Sequence, residues 1–314
     1  SLTVRPMTIG TNPRRLWAGI VLALAGMLTA WAADVATAPL SVMTVTGPVP
    51  VAELGRVLAH EHVMSTFGAE PAASPRYDEA AVMAVVNPSL IALREAGVGT
   101  IIEATAAYFG RDPRLLRLIS ERTGIKLVTN TGFYGAANGR YLPPDLSSLD
   151  PDAVAALWSA EAREGIAGSG IRPGFIKLGI NAGPLTEVDR LLLRAAARTH
   201  RVTGLTIAVH TGANAEAAAD QQALLADEGI SPGAWVWVHA HQVLPTAPLI
   251  EAAKRGAWIS VDGWNPANAA RCLEILRELK AAGLLHRVLL SHDGNLHPAP
   301  GARPRPIDWL LREG

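Results

Sequence analysis

Cysteine is almost missing from this chain: Cys272 is the only one in 314 residues. That excludes an internal disulfide and any zinc site built from several thiolates. An excess of charge is missing too. Lys and Arg number 28 and Asp and Glu number 28, with no Lys/Arg-rich run, so nothing electrostatic points to nucleic acid. No G-x-G-x-x-G follows the first strand-like run, which removes the usual dinucleotide fingerprint. There is no internal repeat. What remains is a chain that is 49% hydrophobic, ample for a buried core, and that carries nine histidines.

The N-terminus reads as an export segment. Arg14 and Arg15 precede an apolar stretch, Leu16–Trp31, that leaves through Ala30-Trp31-Ala32 and Ala33-Asp34. A basic start, an apolar middle and a small-x-small exit make a secretory signal over residues 1–33. The stretch is about 16 residues, short of the ~20 that a helical span needs; the alternative is an uncleaved anchor, the one route to a membrane. Paired arginines also raise twin-arginine export. The expectation is a periplasmic or secreted protein whose working part is residues 34–314.

Beyond a Pro-rich bridge (Thr46–Pro50), short apolar runs alternate with helical patterns. The runs are Val57–Ala59, Thr100–Ala104, Lys126–Thr131, Phe175–Ile180, Leu205–Val209, Trp235–Val238, Trp258–Val261 and Val288–Ser291. Seven helical segments lie between them, from Glu79–Ala96 to Ala267–Ala282, several closed by a glycine placed for a left-handed cap. Eight strands alternating with helices imply βαβ units and a parallel sheet, here an α/β (β/α)8 TIM barrel, with an open doubly wound sheet as the runner-up. Only about 20 residues follow the eighth strand, too few for a full eighth helix, which would leave the first and eighth strands exposed.

In such a barrel the chemistry sits where strands end. The first strand ends in His60-Glu61-His62, the fourth carries Lys177, the fifth ends in His210, the sixth in His239 and the eighth in His292-Asp293. Strand residues two apart share a face, so His60 and His62 point inward and Glu61 away. Two imidazoles can hold one divalent cation, and His210 with His239 a second. A free ammonium facing two cations makes no electrostatic sense. Lys177 fits once its amine is carboxylated by CO2 to a carbamate that bridges both. Water held there is acidified toward neutrality and serves as hydroxide nucleophile, with Asp293 as general base. Singly, each residue has a blander reading, such as packing histidine, snorkelling lysine or loop aspartate. Their joint placement at strand ends speaks for the site.

These motifs resemble the phosphotriesterase family of the amidohydrolase superfamily. The resemblance runs from "TVTGPVPVAELGRVLAHEHV" (44–63) to "LLSHDG" (289–294), with "FGRD" (109–112) and "NTGFY" (130–134) between. It implies His60, His62 and Asp293 on the more buried metal, His210 and His239 on the more exposed one, and carboxylated Lys177 bridging. Zinc is the first expectation, with Co, Mn or Fe also suited. His241 could also claim the strand-six ligand role; His239 fits better, leaving His241 as a supporting residue or proton shuttle, or an exposed loop residue. Tyr134 falls where lactonase-like members place a tyrosine beside the metals, to orient the substrate carbonyl or aid the leaving group. His292 should point away. Family members that cleave phosphotriesters carry a relay histidine just past strand seven; here Gly263 stands there, which leans toward the lactonase and esterase branches. The implied partner is a small ester, lactone or organophosphate, and a homodimer is open. Loops 264–268 and 295–305 should shape the pocket. The rival readings are a non-catalytic exported barrel protein and an inactive, truncated family member.

Overall fold

The structure, a computed structural model, describes residues 39–313. The expected export segment lies outside the described residues. Among those described, no helix is long and apolar enough to cross a membrane.

The first described element corrects the sequence reading. The Pro-rich bridge is an antiparallel hairpin, β1 (Ser41–Thr44) and β2 (Gly47–Pro50), whose prolines are tolerated because the pair stands apart from the parallel ladders. The alternating region follows as β3 (Arg56–Met64), α1 (Glu79–Glu95), β4 (Val98–Glu103), α2 (Pro113–Thr123), β5 (Lys126–Val128), β6 (Asn130–Thr131), α3 (Pro151–Glu164), β7 (Phe175–Gly179), α4 (Glu187–Thr203), β8 (Thr206–His210), α5 (Ala215–Asp227), β9 (Trp235–Val238), α6 (Ala247–Lys254), β10 (Trp258–Val261), α7 (Ala269–Ala281), β11 (Val288–Leu290), β12 (Asn295–His297) and α8 (Trp309–Glu313).

Local chemistry sets the helix limits. Asp112 caps α2 by accepting from Arg114 N–H and Leu115 N–H, Pro113 opens the helix, and Gly124 ends it at φ 74°. A reciprocal Thr186–Asp189 capping box starts α4. The strands pair in parallel in two runs, β12-β3-β4-β5 and β11-β10-β9-β8-β7-β6. Only Thr129 separates β5 from β6, so the third expected strand is one strand broken by one residue. At the other end the chain from β11 to β12 lies along β3: Asp293 N–H donates to His60 O at 3.2 Å and His62 N–H to Gly294 O at 3.0 Å. This is an α/β fold of parallel sheets whose hydrogen-bonded circuit is consistent with the expected barrel.

Three apolar clusters fill it, the smallest formed by Ala106, Phe109, Tyr134, Ala136 and Tyr141. Of the larger two, one lies around β7 to β10 and includes Trp158, Trp235 and Trp237; the other lies between β3–β5 and helices α1 and α2. The last segment after β12 does more than its length suggests. Ile307 is buried, Trp309 stacks on Trp264, and Leu310 N–H donates to His292 Nε2 at 3.0 Å. The expected exposure is seen in the last strand, where no residue of β11 is buried and Leu290 is 37% exposed, whereas in β3 it stops after Arg56 and Val57.

The join at β3 hangs on Glu61, which has no exposure. It accepts from Ser291 Oγ (2.7 Å), His292 N–H (2.9 Å), His292 Nδ1 (2.7 Å) and Gly294 N–H (2.8 Å). Replacing it with an apolar residue strands those donors in the interior. Glu61→Leu is therefore expected to lower unfolding free energy by about 3 kcal/mol or more, read from urea denaturation. An unchanged midpoint would mean the ends are joined by something else.

Candidate metal centre

The strand ends deliver their polar residues to one place. His60 and His62 come from β3, Lys177 from β7, His210 from the last position of β8, His239 from the residue after β9, and Asp293 from the link between β11 and β12. All six, with Tyr134, line a single cavity of about 340 Å3. A larger groove of about 670 Å3 lies elsewhere, between α1 and the C-terminal segment, and holds none of these residues. The smaller cavity is the chemical one.

Its geometry is tight. Imidazole centroids are 5.5 Å apart for His60 and His62, 5.0 Å for His60 and His239, and 4.5 Å for His210 and His239. Asp293 Oδ1 stands 3.5 Å from His60 Nε2 and 3.3 Å from His62 Nε2. Lys177 Nζ lies 5.4 Å from the Tyr134 ring centroid, and that ring is 5.3 Å from His210. His239 and Asp293 both take left-handed backbone conformations, φ 62° and 51°. Non-glycine residues adopt these only where the surroundings hold them, a pattern that gathers at functional sites.

The donor set suits divalent cations. His60 Nε2 is buried with no hydrogen-bond partner. Such an atom is costly unless something outside the protein occupies it. The distal ring nitrogens are engaged so as to aim the others inward. His62 Nδ1 lies 2.8 Å from Thr105 Oγ1. That hydroxyl has one proton and two acceptors beside it, Met64 O at 2.9 Å and Glu103 Oε1 at 2.6 Å. It therefore offers His62 a lone pair, the proton sits on Nδ1, and Nε2 is free to ligate. Asp262 does the same for His239, accepting from its Nδ1 at 3.0 Å and its backbone N–H at 3.1 Å.

Burial shapes the charges. It holds His60 and His210 well below the ordinary imidazole range, so both are neutral and able to ligate. It brings the Lys177 ammonium down to about 8, within reach of the free amine. For Asp293 burial works upward, but the charge of the neighbouring imidazoles, His239 foremost, outweighs it and holds the carboxyl well below its ordinary range.

Asp262 was missed in the sequence. It is wholly buried, accepts from Ser260 Oγ at 2.7 Å, and stands 3.7 Å from His60 Nδ1 and 3.3 Å from His241 Nδ1. The signal was available: it is the residue directly after β10, the rim position where the other strands carry ligands. His239, His241 and Asp262 also form a metal-capable trio. Since His239 Nδ1 is bonded to Asp262 and His241 does not line the cavity, the trio reads better as an orienting set.

His241 is buried, which sets aside the exposed-loop alternative. Its ring covers Gly263: a Cβ added at 263 would lie 2.1 Å from His241 Nε2. An imidazole from strand six thus fills the space of the side chain that position 263 lacks. His292 points away as expected, bonded to Glu61. One expectation fails. Loop 264–268 contributes nothing to the cavity lining, because Asn265 and Asn268 fold their amides back onto Gly263 O. The wall comes instead from Phe67, Phe109 and the loop after β12.

Comparison with known proteins agrees with this geometry. Residues 40–305 match the phosphotriesterase family. The chain is 29% identical over 260 residues to a phosphotriesterase homology protein of Mycobacterium tuberculosis, covering 80% of this chain and 79% of the relative. It is 27% identical over 247 residues to an aryldialkylphosphatase of Saccharolobus solfataricus, covering 77% of each. A solved mutant of a Deinococcus radiodurans PTE-like lactonase has a TM-score of 0.77 at 31% identity, covering 87% of this chain and 91% of that one. Scaffold and site together are those of a metal-dependent hydrolase, of the phosphotriesterase and lactonase kind. Within that class the chain belongs to the phosphotriesterase family.

Two outcomes follow from the supporting residues. Thr105→Val removes the acceptor that fixes the His62 tautomer and should weaken cation binding about 10–100-fold, measured by chelator competition; unaltered affinity would remove Thr105 from the site. Gly263→His forces a ring into the space His241 holds and should destabilise by about 1–3 kcal/mol. Adding His241→Ala should restore most of that loss. Equal stabilities for the single and double variants would contradict the shared-space assignment.

Proposed function

We propose that this protein is a binuclear hydrolase of carboxylic esters or lactones, with phosphotriester cleavage as a side activity, on a (β/α)8 barrel whose eighth helix is short. His60, His62 and Asp293 would hold one divalent cation and His210 and His239 the other, zinc in the first instance, with Lys177 carboxylated to a carbamate between them. When bound, the cations would polarise the substrate's carbonyl or phosphoryl oxygen and bring water toward its hydroxide form. The observation that carries this reading is the convergence of all six residues on one cavity, with a buried His60 Nε2 that no protein group satisfies.

The chain's own residues supply the rest. Asp293, ionised and at the cavity wall, takes the proton of the attacking water. Tyr134 is kept in its protonated form, since burial pushes its phenol up. It can therefore donate a hydrogen bond to the substrate carbonyl or to the departing oxygen. Asp262 holds His239 in place, and His241 packs against Asp262 and Gly263 as its support. Phe67 and Phe109 give the pocket an apolar side that limits water.

One feature supports the lactone and ester branch over dedicated phosphotriester cleavage: Gly263 stands where the relay histidine is expected. Residues 1–33 would then be an export signal, with the part from residue 34 onward acting outside the cytoplasm, and the protein would work as a homodimer.

The screen that tests this presents metal-loaded protein with lactones, aryl esters and phosphotriesters. Turnover of lactones or aryl esters is expected; the lactonase and esterase reading fails if phosphotriesters alone react. Lys177→Ala should lose both bound metal, measured by elemental analysis, and hydrolysis. Full metal and full activity in that variant would sink the bridging role.

A further inference from the structure

The cavity lining is of two unlike kinds. Phe67, Phe109 and Tyr134 pack ring against ring, Phe109 and Tyr134 with centroids 5.0 Å apart. Arg303 and Arg305, both exposed, also line it, carried by the loop between β12 and α8. Asp293 is the sole carboxylate among the lining residues, and Arg305 Nη1 approaches its Oδ2 at 3.4 Å. Arg303 has no hydrogen-bond or ion-pair partner among the described residues.

These arginines have a fixed mount. Asn295 and Arg305 exchange backbone hydrogen bonds, 2.9 Å from Asn295 N–H and 2.8 Å from Arg305 N–H. Ile307, two residues on, is buried. Ala302 N–H closes a turn onto Ala299 O at 3.0 Å, and prolines at 298, 300, 304 and 306 restrict the backbone between. Gly294 allows the returning segment to lie directly over the link that bears Asp293. A Cβ there would come within 2.2 Å of Ile307 Cγ2 and 2.9 Å of Arg305 O. The segment that places a candidate ligand therefore also places the guanidinium groups at the cavity wall.

A plain lactone, neutral ester or phosphotriester offers guanidinium groups only neutral oxygen acceptors, and Asp293 is the one anion in the lining, already faced by Arg305. A carboxylate, sulfonate or phosphate matches their planar donor fork. We propose that Arg303 and Arg305 form an oxyanion-binding subsite, so that the substrate is an ester or lactone bearing an anionic group, with its apolar part toward Phe67 and Phe109. The inference rests on the hydrolase reading above and narrows its substrate class.

The test uses the metal-loaded full chain and two matched pairs: phenyl acetate against 4-sulfophenyl acetate, and γ-valerolactone against γ-carboxy-γ-butyrolactone. The anionic member of at least one pair should have the higher kcat/KM. In the Arg303→Ala/Arg305→Ala double variant the anionic-to-neutral ratio should fall about tenfold, mainly through KM, and Arg303→Lys/Arg305→Lys should recover part of it. Neutral members that react as well as anionic ones, or a ratio untouched in the double variant, overturn the subsite while leaving the hydrolase reading in place. If nothing is hydrolysed, the hydrolase reading fails, and the subsite is decided by calorimetry with benzenesulfonate, which has no scissile bond. Binding that is weakened about tenfold in the double variant supports it; equal binding, or none to the parent chain, overturns it.

Discussion

A buried carboxylate facing a strip of backbone is the interaction on which most of this molecule depends. Glu61 lies in β3 between two inward imidazoles, and its oxygens gather the donors of Ser291, His292 and Gly294. The β11–β12 link is thereby held against the first strand of the circuit, and Asp293 within it faces His60 and His62. A strand's two-residue period makes this economical. The inward face of β3 serves the cavity and the outward residue ties the ends of the sheet. Without that tie the candidate ligands of the first and last strands would belong to two unconnected edges.

The site is layered in the same way. Burial keeps His60 and His210 neutral, and two of the cavity imidazoles are aimed by a group that reaches the far nitrogen: Thr105 behind His62, Asp262 behind His239. Asp262 is shared more widely, touching the surroundings of His60 and His241 as well. One wholly buried carboxylate thus couples the two halves of the histidine cluster, and a change at any of them is felt by the others.

The sequence made the alternation of strands and helices legible because apolar periodicity and capping residues are local signals. All seven helical segments recur within a few residues of their expected limits. The rim residues were legible for the same reason, since each ends an apolar run. Asp262 was not, although it occupies the equivalent place after β10: its neighbour Gly263 drew attention to a missing histidine rather than to the aspartate beside it. The β1–β2 hairpin was hidden by its prolines, which read as a linker. Whether loop 264–268 or the loop after β12 walls the pocket depends on how asparagine amides fold back onto Gly263 O, a tertiary matter with no sequence period. The filling of Gly263's space by His241 likewise joins residues 22 positions apart.

Gly294 gives the molecule a limit on how it can be re-engineered. In barrels of this kind the loops are commonly treated as interchangeable parts, swapped to alter what the enzyme accepts. Here the loop after β12 returns directly over Gly294, next to Asp293, and its hydrophobic foot Ile307 closes the contact. A transplanted loop would have to reproduce that footprint, or it would disturb the coordination chemistry while aiming only to change selectivity.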